Sequence, residues 1–260
     1  MRRFLIDTDT ASDDALALVM ALRHPDIRVE AITVVAGNVP VDQAVQNALY
    51  VVELCGASVP VHAGAVKPLT RALQTAQHVH GKDGMGDVGL PLRGRTPAPL
   101  PAVEAIVRAV RAFPHELTLV TLGPLTNVAL ALCVAPEIAA LISRVVVMGG
   151  VAGGSGNVTP AAEFNVWVDP EAARIVFESG LPIEMVGWDV SVRYATLEAA
   201  EVDRFRSLGP FGAFCMDIQR VLADFAFRTR GAAGPDEPDP LAMAIALDPS
   251  IVTESVARYV

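Results

Sequence analysis

Cysteine is scarce in this chain. Three occur in 260 residues, Cys55, Cys133 and Cys215, far apart and without CxxC spacing. That pattern argues against a zinc site and fits a reducing compartment. Cys55 and Cys133 lie in helical patterns, where a buried thiol behaves as a small apolar residue. Long apolar runs are also missing. Phe4, Leu5 and Ile6 alone separate Met1-Arg2-Arg3 from the first acid, too few for a signal-peptide core. No run approaches the length of a membrane span, and a soluble cytoplasmic protein is expected. Positive charge is in deficit: 20 Lys and Arg stand against 29 Asp and Glu, a formal net charge of -9. Nucleic acid and anionic membrane are therefore poor candidate partners. Hydrophobic residues make up 52%, ample for a large core and incompatible with a disordered chain. No internal repeat or shift in composition marks a boundary, so residues 1–260 read as one domain.

What the chain has is acid, concentrated in one place. Asp7, Asp9, Asp13 and Asp14 fall within eight residues. They follow a short apolar run and precede an Ala/Leu/Val-rich stretch of helical character. The acids thus sit where a strand ends and a helix begins, at the sheet edge where α/β folds place ligands. Strand periodicity puts Asp7 and Asp9 on the same side. Asp13 and Asp14 open the helix, where the dipole favours negative charge, and adjacent helical positions point about 100° apart. Four like charges this close require protons or a cation among them. An all-oxygen set without Cys or His suits Ca²⁺ or Mg²⁺. For a single Asp, capping the helix (Asp13) or binding backbone amides (Asp7) is a sufficient explanation; for the whole set it is not.

Strand and helix patterns alternate along the chain. Strands are expected at 29–36, 59–62, 117–122, 145–148 and 183–187. Helices are expected at 15–22, 41–54, 101–113, 125–135, 171–179, 198–207, 211–228 and 241–247, and a last strand at 256–260. This is the signature of a parallel sheet with right-handed crossovers. Residues 64–100 break the rhythm with many Gly and Pro, and a long irregular segment inside a compact domain is often a binding loop. His78 and His80 lie in it, two apart; in an extended loop they would share a side. Without a third His or Cys nearby, a substrate contact from one of them is favoured over a metal role.

The run Asp7-Thr8-Asp9-Thr10-Ala11-Ser12-Asp13-Asp14-Ala15 resembles the DxDxxxDDA signature of the calcium-dependent nucleoside hydrolases. The resemblance continues in Val35-Ala36-Gly37-Asn38, Leu122-Gly123-Pro124-Leu125-Thr126-Asn127, Met148-Gly149-Gly150, Gly156-Asn157, Ala162-Glu163-Phe164-Asn165, Val168-Asp169-Pro170 and Asp239-Pro240-Leu241-Ala242. It implies a Rossmann-like, mostly parallel sheet flanked by helices, with the site at the strands' carboxyl ends. It implies hydrolysis of the N-glycosidic bond of a ribonucleoside to ribose and free base. Asp9, Asp14 and Asp239 match carboxylate ligands of Ca²⁺, and Leu122 matches a ligand through its backbone carbonyl. Asp13 and Asn38 match contacts to the ribose 2′ and 3′ hydroxyls. Asn157, Glu163 and Asn165 match contacts to the sugar, notably its 5′ end; Met148 is placed in the sugar pocket, and Asp9 also matches the general base. His80 is added as a substrate contact, and a homo-oligomer, dimer or tetramer, is expected from the resemblance. The chemistry is coherent in its own right. Cleavage builds oxocarbenium character that carboxylates stabilise, and a cation can hold a vicinal diol and acidify water.

One departure stands out. Many relatives carry His immediately before the last calcium Asp, where it protonates the departing base; here that residue is Pro238. Its role would fall to His80, Tyr194, Arg228, Asp236 or Glu237, or to stacking on Trp188, Phe225 or Phe227. A non-catalytic nucleoside or sugar sensor on the same scaffold is the alternative that Pro238 favours. A haloacid-dehalogenase-like phosphatase is a further one, since Asp7-Thr8-Asp9-Thr10 resembles DxDxT.

Overall fold

A computed structural model describes residues 1–258. Among these, six strands form one parallel sheet in the order β3-β2-β1-β4-β5-β6. They are β1 (Arg2–Thr8), β2 (Ile27–Val34), β3 (Val61–Ala63), β4 (Leu117–Thr121), β5 (Arg144–Met148) and β6 (Ile183–Val186). The first helices are α1 (Ser12–Arg23), α2 (Val41–Leu54), the single turn α3 (Gln77–His80), α4 (Ala102–Ala112) and α5 (Thr126–Val134). They are followed by α6 (Phe164–Val168), α7 (Pro170–Phe177), α8 (Trp188–Tyr194), α9 (Ala199–Ser207), α10 (Pro210–Ile218), α11 (Arg220–Arg230) and α12 (Pro238–Leu247). The Rossmann-like α/β expectation is met.

Both faces of the sheet are buried, which is why its strands read as nearly continuous apolar runs. Alternation sorts them. Phe4, Ile6, Val146 and Met148 enter the core shared with α1, α2 and α12. Leu5, Val145 and Val147 enter the core shared with α4, α5 and α7. The amphipathic α4 shows the rule from the helix side: Ala102, Ala105, Ile106 and Val110 are buried, the spacing of one helical face. The strand order reverses between β1 and β4, so the chains diverge there and leave a crevice at the carboxyl edge, the position where such sheets bind ligands. Asp9 follows β1 and Leu122 follows β4.

Several expected elements are revised. The helix over 211–228 is two helices, α10 and α11, meeting at Gln219. Gln219 is buried and its amide donates to the Ser12 carbonyl (3.0 Å) and to Glu237 (3.3 Å), which fixes the break. Residues 64–100 contain α3, so His78 and His80 sit on one helical turn and not on one extended side. Asp239 lies inside the first turn of α12, with Pro238 at its start, a favoured place for proline. Cys133 is exposed, so it does not serve as a buried apolar residue. Of the strand expected at 256–260, residues 256–258 have no regular structure; 259 and 260 lie outside the described residues. No helix among the described residues is long and apolar enough to cross a membrane.

Candidate active site

The β1–α1 junction separates the four acids. Asp7 is still in β1 and points into the core, where its Oδ1 accepts from Thr33 Oγ1 (2.5 Å) and Asn127 Nδ2 (2.9 Å). Burial nevertheless pushes its carboxyl up to about 7. As the first acid of the DxDxT reading it is out of reach of any substrate, which removes the phosphatase alternative. Asp9, one residue past the strand, is fully buried with its carboxylate against Gly37 and Gly123. Its Oδ2 accepts the backbone N–H of Asn38 (2.6 Å), while its Oδ1 is buried without a partner. Asp14 folds back over the start of α1: Oδ2 accepts the Ala11 N–H (2.8 Å) and Oδ1 accepts Thr8 Oγ1 (2.5 Å). Helix capping is therefore done by Asp14, and Asp13 is left facing the cavity with an unpartnered Oδ1.

Carboxylate oxygens of Asp13, Asp14 and Asp239 lie within 4.8 Å of one another. Asp239 arrives from α12, which packs on α1. Burial, followed by the charges of its neighbours, sets the protonation of this group. Asp9 is pushed well above the usual carboxylate range by burial and then by Asp14 and Asp13. Asp239 is pushed well above it by burial and then by Asp13, Asp14 and Asp9. Asp13 is raised to about 6, chiefly by burial, and Asp14 likewise to about 6 by burial and the charge of Asp13. A group this poor in hydrogen-bond donors fits a cation: all donors are oxygen, and two buried oxygens point at nothing. This cluster could hold a metal ion. The Leu122 carbonyl, at the end of β4, accepts one bond from Asn165 Nδ2 (2.9 Å) and keeps its second lone pair.

A cavity of about 530 Å³ opens in front of these acids, within the range of small-molecule sites. Asp13, Asn38, Leu122, Met148, Asn157, Glu163, Asn165, His80 and Asp239 line it, whereas Asp9 and Asp14 stand behind them, fully buried. Glu163 caps α6. Its carboxylate accepts the N–H groups of Gly150 (2.8 Å), Asn165 (2.9 Å) and Val166 (3.3 Å), and burial raises it to about 7. Asn157 accepts the Phe164 N–H (2.8 Å) and keeps its amide NH₂ free. His80 is buried and its Nδ1 lies 3.0 Å from Ser12 Oγ and 3.6 Å from Asp13 Oδ1; burial lowers its pKa to about 4.

The candidates for the missing proton donor divide. Asp236, Trp188 and Phe225 line the cavity, together with Pro238. Tyr194, Phe227 and Arg228 are exposed and do not. Glu237 is buried beside Gln219 and Asp13 and also does not reach the cavity. Among the lining residues that the sequence did not single out are Thr229 and Arg230 at the end of α11. Their helix was expected to stop at 228, so both fell in the adjoining loop.

Similarity to known proteins points the same way. The family profile described as inosine-uridine preferring nucleoside hydrolase matches residues 4–260. A pyrimidine-specific ribonucleoside hydrolase, RihA, of Salmonella schwarzengrund (strain CVM19633) is 42% identical over 259 residues, covering 98% of this chain and 82% of the relative. The solved plant nucleoside hydrolase PpNRh1 superposes with a TM-score of 0.93 at 34% identity, over 97% of this chain and 80% of that one. A purine-preferring ribonucleoside hydrolase from Gardnerella vaginalis gives a TM-score of 0.92 at 36% identity, over 97% of this chain and 82% of that one.

Proposed function

The chain belongs to the inosine-uridine preferring nucleoside hydrolase family, and from that premise we propose how its residues share the work. The reaction is hydrolysis of the N-glycosidic bond of a ribonucleoside, giving ribose and the free base. The observation that carries the assignment of roles is the acidic cluster itself: three carboxylates within 4.8 Å, two orphaned buried oxygens, and a nucleoside-sized cavity in front of them. Asp14 and Asp239 of that cluster, joined by Asp9 through its unpartnered Oδ1 and by the Leu122 carbonyl, would hold the ion; Asp13, the third member of the cluster, stands on the cavity side. We assign Ca²⁺, because its large and flexible shell accepts protein oxygens, a diol and water together. When bound, such an ion holds the vicinal diol and makes water more acidic.

Asp9 is the general base. The Asn38 N–H fixes one of its oxygens and leaves the other free to accept a proton from water, which then bonds to C1′. Asp13 and Asn38 receive the 2′ and 3′ hydroxyls. Asn157, Glu163 and Asn165 orient the 5′ end, and Met148 supplies an apolar wall under the ring. As the glycosidic bond lengthens, positive charge grows on the ribose, and the row of carboxylates stabilises it. We read residues 1–260 as one domain.

The test is ribose release from a panel of purine and pyrimidine nucleosides, with Ca²⁺ and again after chelation. Turnover lost on chelation and restored by Ca²⁺ is expected. Turnover indifferent to chelation would remove the ion and its ligands from the reading. Tight nucleoside binding without any ribose release would favour the sensor alternative.

A further inference from the structure

Position 238 is proline, so no side chain there can donate a proton to the departing base. Yet the outer half of the cavity is not apolar. Of its polar residues, Asp236 is fully engaged: Oδ1 accepts from Thr196 Oγ1 (2.6 Å) and Oδ2 pairs with Arg230. His78 is exposed and turned edge-on to Phe225, with ring centroids 5.7 Å apart. His80 sits on the sugar side, with Ser12 and Asp13. Arg230 is the one Lys or Arg lining the cavity among the described residues.

The Arg230 side chain, 34% exposed, is held by three features. Arg230 is the last residue of α11, whose end is fixed by Gly231 in the left-handed conformation (φ 65°). Its guanidinium pairs with the carboxylate of Asp236, which is 1% exposed, and lies 5.4 Å from the centre of the Trp188 ring. Trp188 lines the same cavity. One terminal nitrogen of the fork is thus engaged, and the other two nitrogens make no hydrogen bond among the described residues. A buried acid, an aromatic face and a helix end preorganise a permanent positive charge beside the leaving-group site. Arginine does not deprotonate at working pH. It can act only as a hydrogen-bond donor and a charge.

We propose that Arg230 receives the departing base, donating charge-assisted hydrogen bonds to the exocyclic carbonyl oxygen on which the leaving electron pair collects. The inference rests on the ribohydrolase reading above. In the step, the water oxygen bonds to C1′ and its proton passes to Asp9. The C1′–N bond breaks and its electron pair goes to the base, delocalised onto the carbonyl oxygen. The base leaves as an anion held by Arg230 and takes its proton from solvent water afterwards. Donors prearranged for a developing oxyanion are worth about 10²- to 10³-fold in rate. Bases with a carbonyl conjugated to the glycosidic nitrogen, such as uracil and hypoxanthine, gain from the contact. Adenine has no such oxygen.

The experiment compares wild type, R230M and R230K on uridine, inosine, adenosine and p-nitrophenyl riboside, whose leaving group departs with little help. R230M should lose about 10²-fold or more in kcat on uridine and inosine, with KM changing far less. Its loss on p-nitrophenyl riboside should be at least about tenfold smaller, and R230K should recover part of the nucleoside rate because it restores the charge. Wild type should cleave inosine well ahead of adenosine, a comparison independent of any variant's folding. Equal losses on nucleosides and p-nitrophenyl riboside would make Arg230 a structural residue and overturn the inference. So would an unchanged nucleoside rate, or adenosine cleaved as fast as inosine. A wild type inert on all four substrates would overturn the hydrolase reading as well; activity with the wrong Arg230 pattern overturns this inference alone.

Discussion

Gly123 and Gly37 close on the Asp9 carboxylate from two directions. A Cβ on Gly123 would fall 2.6 Å from Asp9 Oδ1, and one on Gly37 would press on Oδ2. Neither glycine is there for an unusual backbone angle; the space is what they supply. Gly123→Ala should therefore displace the proposed base while leaving β4 intact. A reacting group misplaced by ~1 Å costs about 10²-fold in rate. That loss in kcat on uridine, with circular dichroism unchanged, is the expected outcome, and an unaltered kcat would mean that Asp9 tolerates displacement and is not the base. At this scale the sequence was partly legible. Four acids in eight residues announced a charged site, because like charges that close need a physical reason. Their division of labour was not legible. Period-two reasoning put Asp7 beside Asp9, but β1 ends at Thr8, and past that point the alternation no longer applies. Arg230 was invisible because its meaning depends on Asp236 and Trp188, neither of which is its neighbour along the helix.

Elements were read best where burial repeats. The helix over 41–54 and the strands β4 and β5 came close to their observed bounds because their apolar spacing is set by contact with one core. The short α6 and α8 were missed. Each has too few turns to show a period, and α6 is held by the Glu163 cap more than by its own composition. That cap has a testable cost. Glu163 is an acid whose folded pKa is raised from 4.5 to about 7 by burial, against four backbone N–H groups that lower it. A raised pKa means the folded state binds the extra proton. The associated stability is full below about pH 4.5 and is lost as pH rises through 7. At pH 8 the loss is on the order of 3 kcal/mol. Glu163→Gln has no proton to lose. Urea unfolding at pH 5 and pH 8 should therefore show the variant gaining on wild type as pH rises. A difference that stays constant with pH would mean the N–H bonds hold Glu163 ionised throughout.

At the scale of the whole molecule, an acidic chain buries several carboxylates along one sheet edge, and α1 and α12 pack together to make that possible. Without a cation the arrangement is held against its own repulsion. Asp13 and Asp14, each raised to about 6, favour the protonated folded state, so their stabilising contribution is present at low pH and fades as pH rises through 6. A divalent ion binds the ionised form and must displace those protons. Two slopes of opposite sign follow for the same cluster. In chelator, the melting temperature should rise as pH falls from 8 to about 5.5. The increment on adding Ca²⁺ should be largest at pH 8, where no protons compete, and should shrink toward pH 5.5. At saturating ion the gain follows RT ln(1 + [L]/Kd), about 2.7 kcal/mol at a hundredfold excess over Kd. An increment that did not vary with pH would place the ion away from Asp13 and Asp14. An increment of zero, with ribose release intact, would mean that the acids at the β1 and α12 ends work as proton carriers alone, and that the unpartnered oxygens of Asp9 and Asp13 face water and substrate and not a metal.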